Sequence, residues 1–406
     1  MKKTMKVVLI IGGAVSGSTA AKKLTENGIR CIVVDQNRLP YGKIEDGLPR
    51  WHDKQRNNEY SKIDEIMGHN LVDFVPSTKI GRDISFADIY SMNWSCIYFA
   101  NGAWNDRNFP INGIENFSNF YYQNPFVYWF NHYHEKSYNG PEVNIQDNVL
   151  VVGGGLASID VCKITQMELV KQKIQSQLND VDVVKMEHQG IPKYLEENNI
   201  KYEDLDIEGT TLIYRRDIEN MPLTTIAPDA KPELAEKRKQ ARRKILNNTQ
   251  EKFLFNVLEC TQPVGLDIVD DNLEGLEVVK NEIIDNKPTQ IENSNQILKA
   301  NTIISSIGSL PEPIDGIPMN GSTYDIIDED SGKFNSLDKV HGMGNAITGK
   351  GNIKASRISA KTVGDLTIDL IQDIDSDSVD SINNKVKEWQ KRSSYNGNYF
   401  EWKSKK

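Results

Sequence analysis

Two short glycine-bearing stretches have the residue types and spacing that hold a phosphate through backbone N–H groups. In the first, KVVLIIGGAVSGSTAAKKL (residues 6–24), Gly12 stands where a strand must turn sharply into a helix. Gly17 stands where that helix must pack close to the strand. Between them Ala14 occupies the position at which a glycine lets a pyrophosphate approach the backbone, and its methyl narrows that approach without closing it. In the second stretch, VLVVGGGLASID (residues 149–160), Gly153 and Gly155 take the first two positions, Leu156 and Ala157 follow, and Ser158 takes the third. One such turn is a weak signal, because tight turns need glycine for their own reasons. Two of them, about 140 residues apart and each between an apolar run and a small-residue helix, point to two bound dinucleotides.

The residues that follow each turn differ. Asp35 closes the next β-rich run, RCIVVD (residues 30–35), where a carboxylate accepts from a ribose 2′-OH and repels a 2′-phosphate. The counterpart after the second turn is Tyr214-Arg215-Arg216, whose guanidinium forks match phosphate geometry. Two arginines at a strand end also serve as plain surface charge. After a phosphate-binding turn they favour NADPH over NADH, which assigns FAD to the first turn and NADPH to the second.

The elements that must position these residues are legible around them. Residues 6–11 read as a strand, 17–27 as a helix ending at Gly28, and 30–35 as the returning strand. That is one βαβ unit of the length a right-handed crossover requires. A second unit runs from the strand at 148–152 through a long helix and a polar, partly helical excursion to TTLIYRR (residues 210–216). A third β-rich segment, NTIISSIG (residues 301–308), precedes a helical stretch over about 354–372. DIDSDSVDS then reads as a solvated acidic linker, and the basic, aromatic tail NKVKEWQKRSSYNGNYFEWKSKK has no evident function.

Composition narrows the classes. The chain has 406 residues, 38% hydrophobic and 26% charged, which suits two or three globular domains. No apolar run approaches the roughly 20 residues of a membrane helix, and the N-terminal run breaks too early for a signal peptide. A cytoplasmic location is the expectation. The net charge of −9 argues against general nucleic-acid binding. Cys31, Cys96, Cys162 and Cys260 lie far apart with no CxxC and no metal-ligand spacing. This leaves no redox disulfide, zinc site or cysteine-ligated cluster to expect.

Several further stretches resemble the adrenodoxin-reductase type of ferredoxin–NADP(+) reductase, a relative of the glutamate synthase small subunit. They are PYGKIEDGLPRWH (40–52), IGRDIS (80–85), IYFANGAWNDR (97–107), PFVYWFN (125–131), SSIGSLPEPIDG (305–316) and GNAITGKGNI (344–353), together with Arg215 and Arg216. The resemblance spans about residues 6 to 372; Ala14, Ser158 and Asn345 depart from the family pattern. It implies an α/β fold of two nested Rossmann-like, doubly wound dinucleotide-binding domains. The FAD domain would be discontinuous, residues 1–108 and 318–406, with the NADP domain, 109–317, inserted. It implies FAD contacts at Gly42, Leu48, Gly344 and Asn345, and a backbone stretch, Gly351-Asn352-Ile353, that touches the flavin ring at a helix start. The same GKGNI also reads as an ordinary helix-capping loop. His52 and Asp160 match a family pair that orients one imidazole at the domain junction, although either alone also reads as structural.

The implied activity is hydride exchange with NADPH and single-electron exchange with a ferredoxin or flavodoxin. The resembling reductases meet that acidic carrier through a basic stretch. KPELAEKRKQARRKI (231–245) supplies one here, with Lys237, Arg238, Arg242 and Arg243 turned outward and Leu234, Ala241 and Ile245 packing inward, unless it is only a solvated helix face. Two alternatives stand beside this reading. One is an NADPH-oxidising module of a larger enzyme, as the glutamate synthase small subunit is, although the cysteine-rich cluster domain of that subunit has no counterpart here. The other is a flavin-binding scaffold or regulatory protein without turnover.

Overall fold

The structure, a computed structural model, describes residues 4–178, 180–224, 226, 230–349 and 351–405. The chain forms two compact units. The first comprises Met1–Leu48, His52–Asn105 and Ser309–Lys406, and the second comprises Pro49–Trp51 and Asp106–Gly308.

The first unit is built on a seven-stranded sheet. Its order is Ile326–Asp328, Lys333–Phe334, Val340–Gly342, Cys96–Phe99, Val7–Ile11, Arg30–Val34, Val72–Val75. The strands from Val340–Gly342 onward run parallel. Val7–Ile11 is wholly buried. Val7, Leu9 and Ile11 enter the core on one face, and Val8 and Ile10 the core on the other. A strand covered on both faces needs no polar alternation, which is why its sequence is an unbroken apolar run. From Val7–Ile11 the chain first builds outward through Arg30–Val34 to Val72–Val75 and then crosses to Cys96–Phe99 on the opposite side. This reversal creates a crevice at the carboxyl end of Val7–Ile11, where open α/β sheets take their ligands.

The C-terminal segment corrects the sequence expectation. DIDSDSVDS is no linker: Asp375 caps the helix Ser376–Arg392 by accepting from the N–H of Ser378. This helix sends Ile382, Val386 and Trp389 into one face of the core, and the residues after it send Tyr395 and Tyr399 into the other. Gln390 donates to the carbonyl of Phe74 at 2.8 Å. The tail therefore covers the Val72–Val75 edge of the sheet, a row of backbone groups that would otherwise invite mispairing.

The second unit has a five-stranded sheet in the order Phe120–Tyr122, Thr302–Ser306, Val149–Gly153, Thr210–Ile213, Asn256–Leu258, all parallel. Val149 and Val151 face one core and Leu150 and Val152 the other. An antiparallel sheet of Thr261–Val269, Asn272–Ile284, Lys287–Gln290 and Gln296–Lys299 also belongs to this unit. It was not anticipated. Its hairpin turns at Asp270-Asp271 (φ 49° and 62°) and Asp285-Asn286 (φ 49° and 63°) are the detectable signal, because two-residue turns of this hand need residues that tolerate positive φ.

Candidate functional site

Each unit carries one strand–turn–helix site. In the first, Val7–Ile11 ends at Gly12, whose φ is +96° and whose N–H donates to the carbonyl of Val34 at 2.8 Å. A Cβ on Gly12 would lie 2.6 Å from the carbonyl oxygen of Ala100, and one on Gly17 would lie 1.8 Å from the oxygen of Gly12. Only hydrogen fits at either position. Ala14 sits at the N-cap of the helix Val15–Glu26, whose N-terminus therefore opens beside the turn. Two other segments close on it. Gly42 (φ +51°) approaches so that a Cβ would lie 3.0 Å from that of Ala14. On Gly344 (φ +66°) a Cβ would lie 2.0 Å from Ser16 Oγ.

Asp35 lies just past Arg30–Val34 and is 5% exposed. Its Oδ2 accepts from the N–H of Gly13 at 2.8 Å and its Oδ1 from the N–H of Asn37 at 2.9 Å. Burial pushes its carboxyl up to about 6, against the pull of those two N–H donors. Each oxygen keeps a second lone pair for a ribose hydroxyl. Two buried side-chain oxygens have no hydrogen-bond partner among the described residues: Asn101 Oδ1, in a residue whose Cα would lie 2.9 Å from a Gly12 Cβ, and Asn345 Oδ1, next to Gly344. A backbone cradle without side chains, a buried carboxylate at the strand end and unsatisfied acceptors fit an FAD.

The remaining candidates of this unit are placed as follows. Leu48 is half-buried after the short helix Lys43–Asp46. Asn352 caps the helix Ile353–Thr367, its Oδ1 accepting from the N–H of Ala355 at 2.7 Å. The capping in GKGNI is thus made by the Asn352 side chain. Gly351 is exposed, a Cβ there would meet the Asn345 amide, and Lys350 lies outside the described residues. His52 is half-buried at the N-cap of Asp53–Met67, where its carbonyl accepts from the N–H of Arg56.

In the second unit Val149–Gly153 leads into the helix Leu156–Ile174, with Gly155 at its N-cap. A Cβ on Gly153 would lie 2.3 Å from the carbonyl oxygen of Ser306, and one on Gly154 would lie 2.1 Å from the ring of Tyr214. Around Gly155 there is open space, with nothing within 4 Å of a Cβ, and Leu156 and Ala157 are exposed. That is the face a pyrophosphate needs. Ser158 has a structural duty: its hydroxyl is buried and donates to the Ser306 carbonyl at 3.0 Å, tying the helix to the neighbouring strand. Asp160, two residues on, has the ammonium of Lys163 at 3.6 Å.

Tyr214, Arg215 and Arg216 follow directly on Thr210–Ile213. Tyr214 donates its hydroxyl to the carbonyl of Asn220 at 2.9 Å, Arg215 is exposed, and Arg216 is half-buried with its Nε lacking a partner among the described residues. Thus the open helix N-terminus and the two arginines follow neighbouring parallel strands. Segment 40–52 does not act as one piece, since Pro49–Trp51 packs in this second unit, Trp51 meeting Phe130 edge-on at 5.2 Å.

The basic helix, Pro232–Phe253, requires a correction. Arg242 points inward: it is 9% exposed and donates to the carbonyls of Glu219 and Thr224, each at 2.6 Å. Leu234, expected to pack, is 48% exposed, and Leu246 is buried instead. Lys237, Arg238 and Arg243 are exposed as expected. Among the cysteines, Cys31, Cys96 and Cys162 are buried. Burial raises all three thiols, Cys96 to about 12, which keeps them protonated and unreactive. No helix among the described residues is long and apolar enough to cross a membrane.

No protein-family model matches the chain. A glutamate synthase [NADPH] small chain from Escherichia coli (strain K12) is 23% identical over 344 residues, 80% of this chain. The matched part spans 58% of that relative's length. Among solved structures, Mycobacterium tuberculosis FprA in complex with NADPH matches with a TM-score of 0.72 and 17% identity, over 95% of this chain and 90% of that one. A Lactococcus lactis thioredoxin reductase matches with a TM-score of 0.50 and 14% identity, over 91% and 99%. At these identities the likeness is one of fold. The chain has the nested two-domain dinucleotide-binding fold of FprA, as the resemblance of its glycine turns and flanking segments implies.

Proposed function

We propose that this chain is an FAD-dependent oxidoreductase. It takes a hydride from NADPH, or delivers one to NADP+, and exchanges single electrons with an acidic carrier, a ferredoxin or flavodoxin. The observation that carries the reading is the contrast between the two sites: a buried acid bonded to the first turn, and beside the second an arginine whose Nε has no partner among the described residues. Gly12, Ala14, Gly17, Gly42 and Gly344 would hold FAD through backbone, and Asp35 would take its ribose. Gly155, Leu156 and Ala157 would present N–H groups and open space to the NADPH pyrophosphate, with Arg215 and Arg216 on its 2′-phosphate. Bound FAD supplies the step from two-electron to one-electron chemistry. The chain's own work is binding, orientation and exclusion of competing reactions.

Anaerobic titration of the purified protein with NADPH tests this directly. The expected result is a yellow protein that bleaches within seconds and then reduces an added ferredoxin. A colourless protein that takes up no added FAD would overturn the reading. Coenzyme choice is tested by Arg215→Ala and Arg216→Ala. A charge-assisted hydrogen bond contributes roughly 1.5–3 kcal/mol, so each loss should weaken NADPH about 10- to 100-fold and leave NADH almost unchanged. Equal losses for both coenzymes would make the arginines structural.

The similarity to a glutamate synthase small chain favours a second reading, an NADPH-oxidising module that feeds a larger partner. NADPH bleaching without reduction of any ferredoxin or flavodoxin, together with a co-purifying large subunit, would select it.

A further inference from the structure

The backbone around the arginine pair is held by residues 44 to 66 positions further along the chain, from the end of Asn256–Leu258 into the antiparallel sheet. Tyr214 N–H donates to the carbonyl of Leu258, and the Thr261 N–H returns a bond to the Tyr214 carbonyl at 2.9 Å. The Cys260 N–H donates to the Arg216 carbonyl at 2.9 Å. One residue then ties this ladder to the long strand Asn272–Ile284. Asn281 donates its N–H to the Cys260 carbonyl at 2.7 Å and its side-chain Nδ2 to the Arg215 carbonyl at 2.9 Å. Asn281 is 4% exposed, so these bonds are made away from water. Cys260 itself has φ +50°, a left-handed conformation rare for a residue with a side chain. Such strain persists where surrounding contacts over-determine the backbone.

We infer that Asn281 is a positioning residue for coenzyme choice, fixing the backbone of Arg215 and, through Cys260, that of Arg216, so that both guanidinium groups meet a 2′-phosphate. The inference rests on the proposed role of those arginines. A phosphate clamp discriminates only when its forks are held in place before the ligand arrives. Arg215 is exposed and long, and without a fixed Cα it samples solvent. The Nδ2–H of Asn281 supplies the fixed point, and the antiparallel sheet is the scaffold that supplies Asn281. The charge and number of the arginines are unchanged by loss of Asn281; their placement is not.

The test is steady-state kinetics of full-length Asn281→Ala and Asn281→Leu with both coenzymes, beside Arg215→Ala. Leucine keeps the buried volume and removes the donor, so it stands in if the alanine variant fails to fold. Loss of the anchor should raise the KM for NADPH roughly 3- to 10-fold with kcat and the NADH parameters unchanged. Calorimetry should show 2′,5′-ADP weakened by the same factor and 5′-AMP unaffected, a split that a general loss of structure does not produce. An unchanged NADPH-to-NADH ratio in the Asn281 variants, with Arg215→Ala shifting it, overturns the inference alone. An unchanged ratio in Arg215→Ala as well overturns the role of the arginines and the inference together. Equal weakening of 2′,5′-ADP and 5′-AMP would make Asn281 merely structural.

Discussion

The N–H of Gly13 donates to Oδ2 of Asp35 across 2.8 Å, so the first turn and the acid proposed to take the ribose are one hydrogen-bonded piece. Burial raises that carboxyl from an ordinary 3.8 to about 6. Between about pH 4 and pH 6 the folded chain therefore holds a proton that the unfolded chain has released, and this group's contribution to stability falls as pH rises through that window. Ligand binding has the opposite sign, because a ribose hydroxyl donates to the ionised form. FAD affinity should be full above pH 6 and weaken up to roughly tenfold per pH unit below it. Fluorescence titration of apoprotein with FAD at pH 5 and pH 7.5 measures this. Asp35→Ala should bind weakly at both values, and a wild-type affinity that ignores pH over this range would contradict the assignment.

Glycines within the turns separate into two kinds. A Cβ on Gly17 would press on the backbone oxygen of Gly12 at 1.8 Å, whereas one on Gly155 would meet nothing within 4 Å. Gly17→Val should be colourless after purification, since the helix cannot seat against its turn. Gly155→Ala should keep the wild-type melting temperature and flavin content, because its φ of −89° suits alanine. Its methyl instead enters the space proposed for the pyrophosphate, so KM for NADPH should rise about tenfold or more. If Gly155→Ala destabilises the fold while binding NADPH normally, the second turn is structural.

What the sequence disclosed follows from locality. Val7–Ile11 and Val149–Gly153 are covered on both faces, so their apolar runs announced them, and each glycine turn lies next to its own strand. The tail was opaque because its partners are remote: Phe74, Asp64 and Arg38 meet residues 316 to 364 positions away. Arg242 misled for a related reason. Helical spacing sets which residues share a face, but the carbonyls of Glu219 and Thr224 that draw Arg242 inward are not in the helix. Asn281 was invisible in the same way, because its donor is spent on the Arg215 carbonyl 66 positions earlier.

Tyr41 and Tyr399 both donate to Oδ1 of buried Asp64, at 2.9 and 2.6 Å, and Lys403 reaches Oδ2 at 2.5 Å. Burial first, then the Asp64 carboxylate, raises both phenols well above their usual range, so both remain donors. Trp402 adds a bond from its indole N–H to the Arg38 carbonyl. The tail thereby braces residues 38–41, and Pro40 of that loop lies 2.6 Å from where a Gly13 Cβ would be. Tyr399→Phe should cost about 1.5–3 kcal/mol in urea unfolding. A chain ending at residue 392 should lose more, and should retain less flavin. A Tyr399→Phe variant as stable as wild type would show that Asp64 is satisfied without the Tyr399 hydroxyl.

The last prediction concerns the electron carrier and uses the corrected helix. Lys237, Arg238, Arg243 and Lys244 are exposed, Arg243 beside Glu219 at 3.4 Å, so an outward positive face remains without Arg242. In a chain of net charge −9 this island is where an acidic carrier would be steered. Lys237→Glu combined with Arg243→Glu should slow ferredoxin reduction several-fold at low salt. The defect should shrink as salt rises, because the Debye length falls from about 30 Å at 0.01 M to about 10 Å at 0.1 M. Ferricyanide, which needs no docking face, should be reduced at the wild-type rate. Arg242→Glu is the internal contrast: it would bury an acid against two carbonyls, so it should lower stability and affect both acceptors alike. A double variant that reduces ferredoxin at the wild-type rate in low salt would remove this helix from the docking surface.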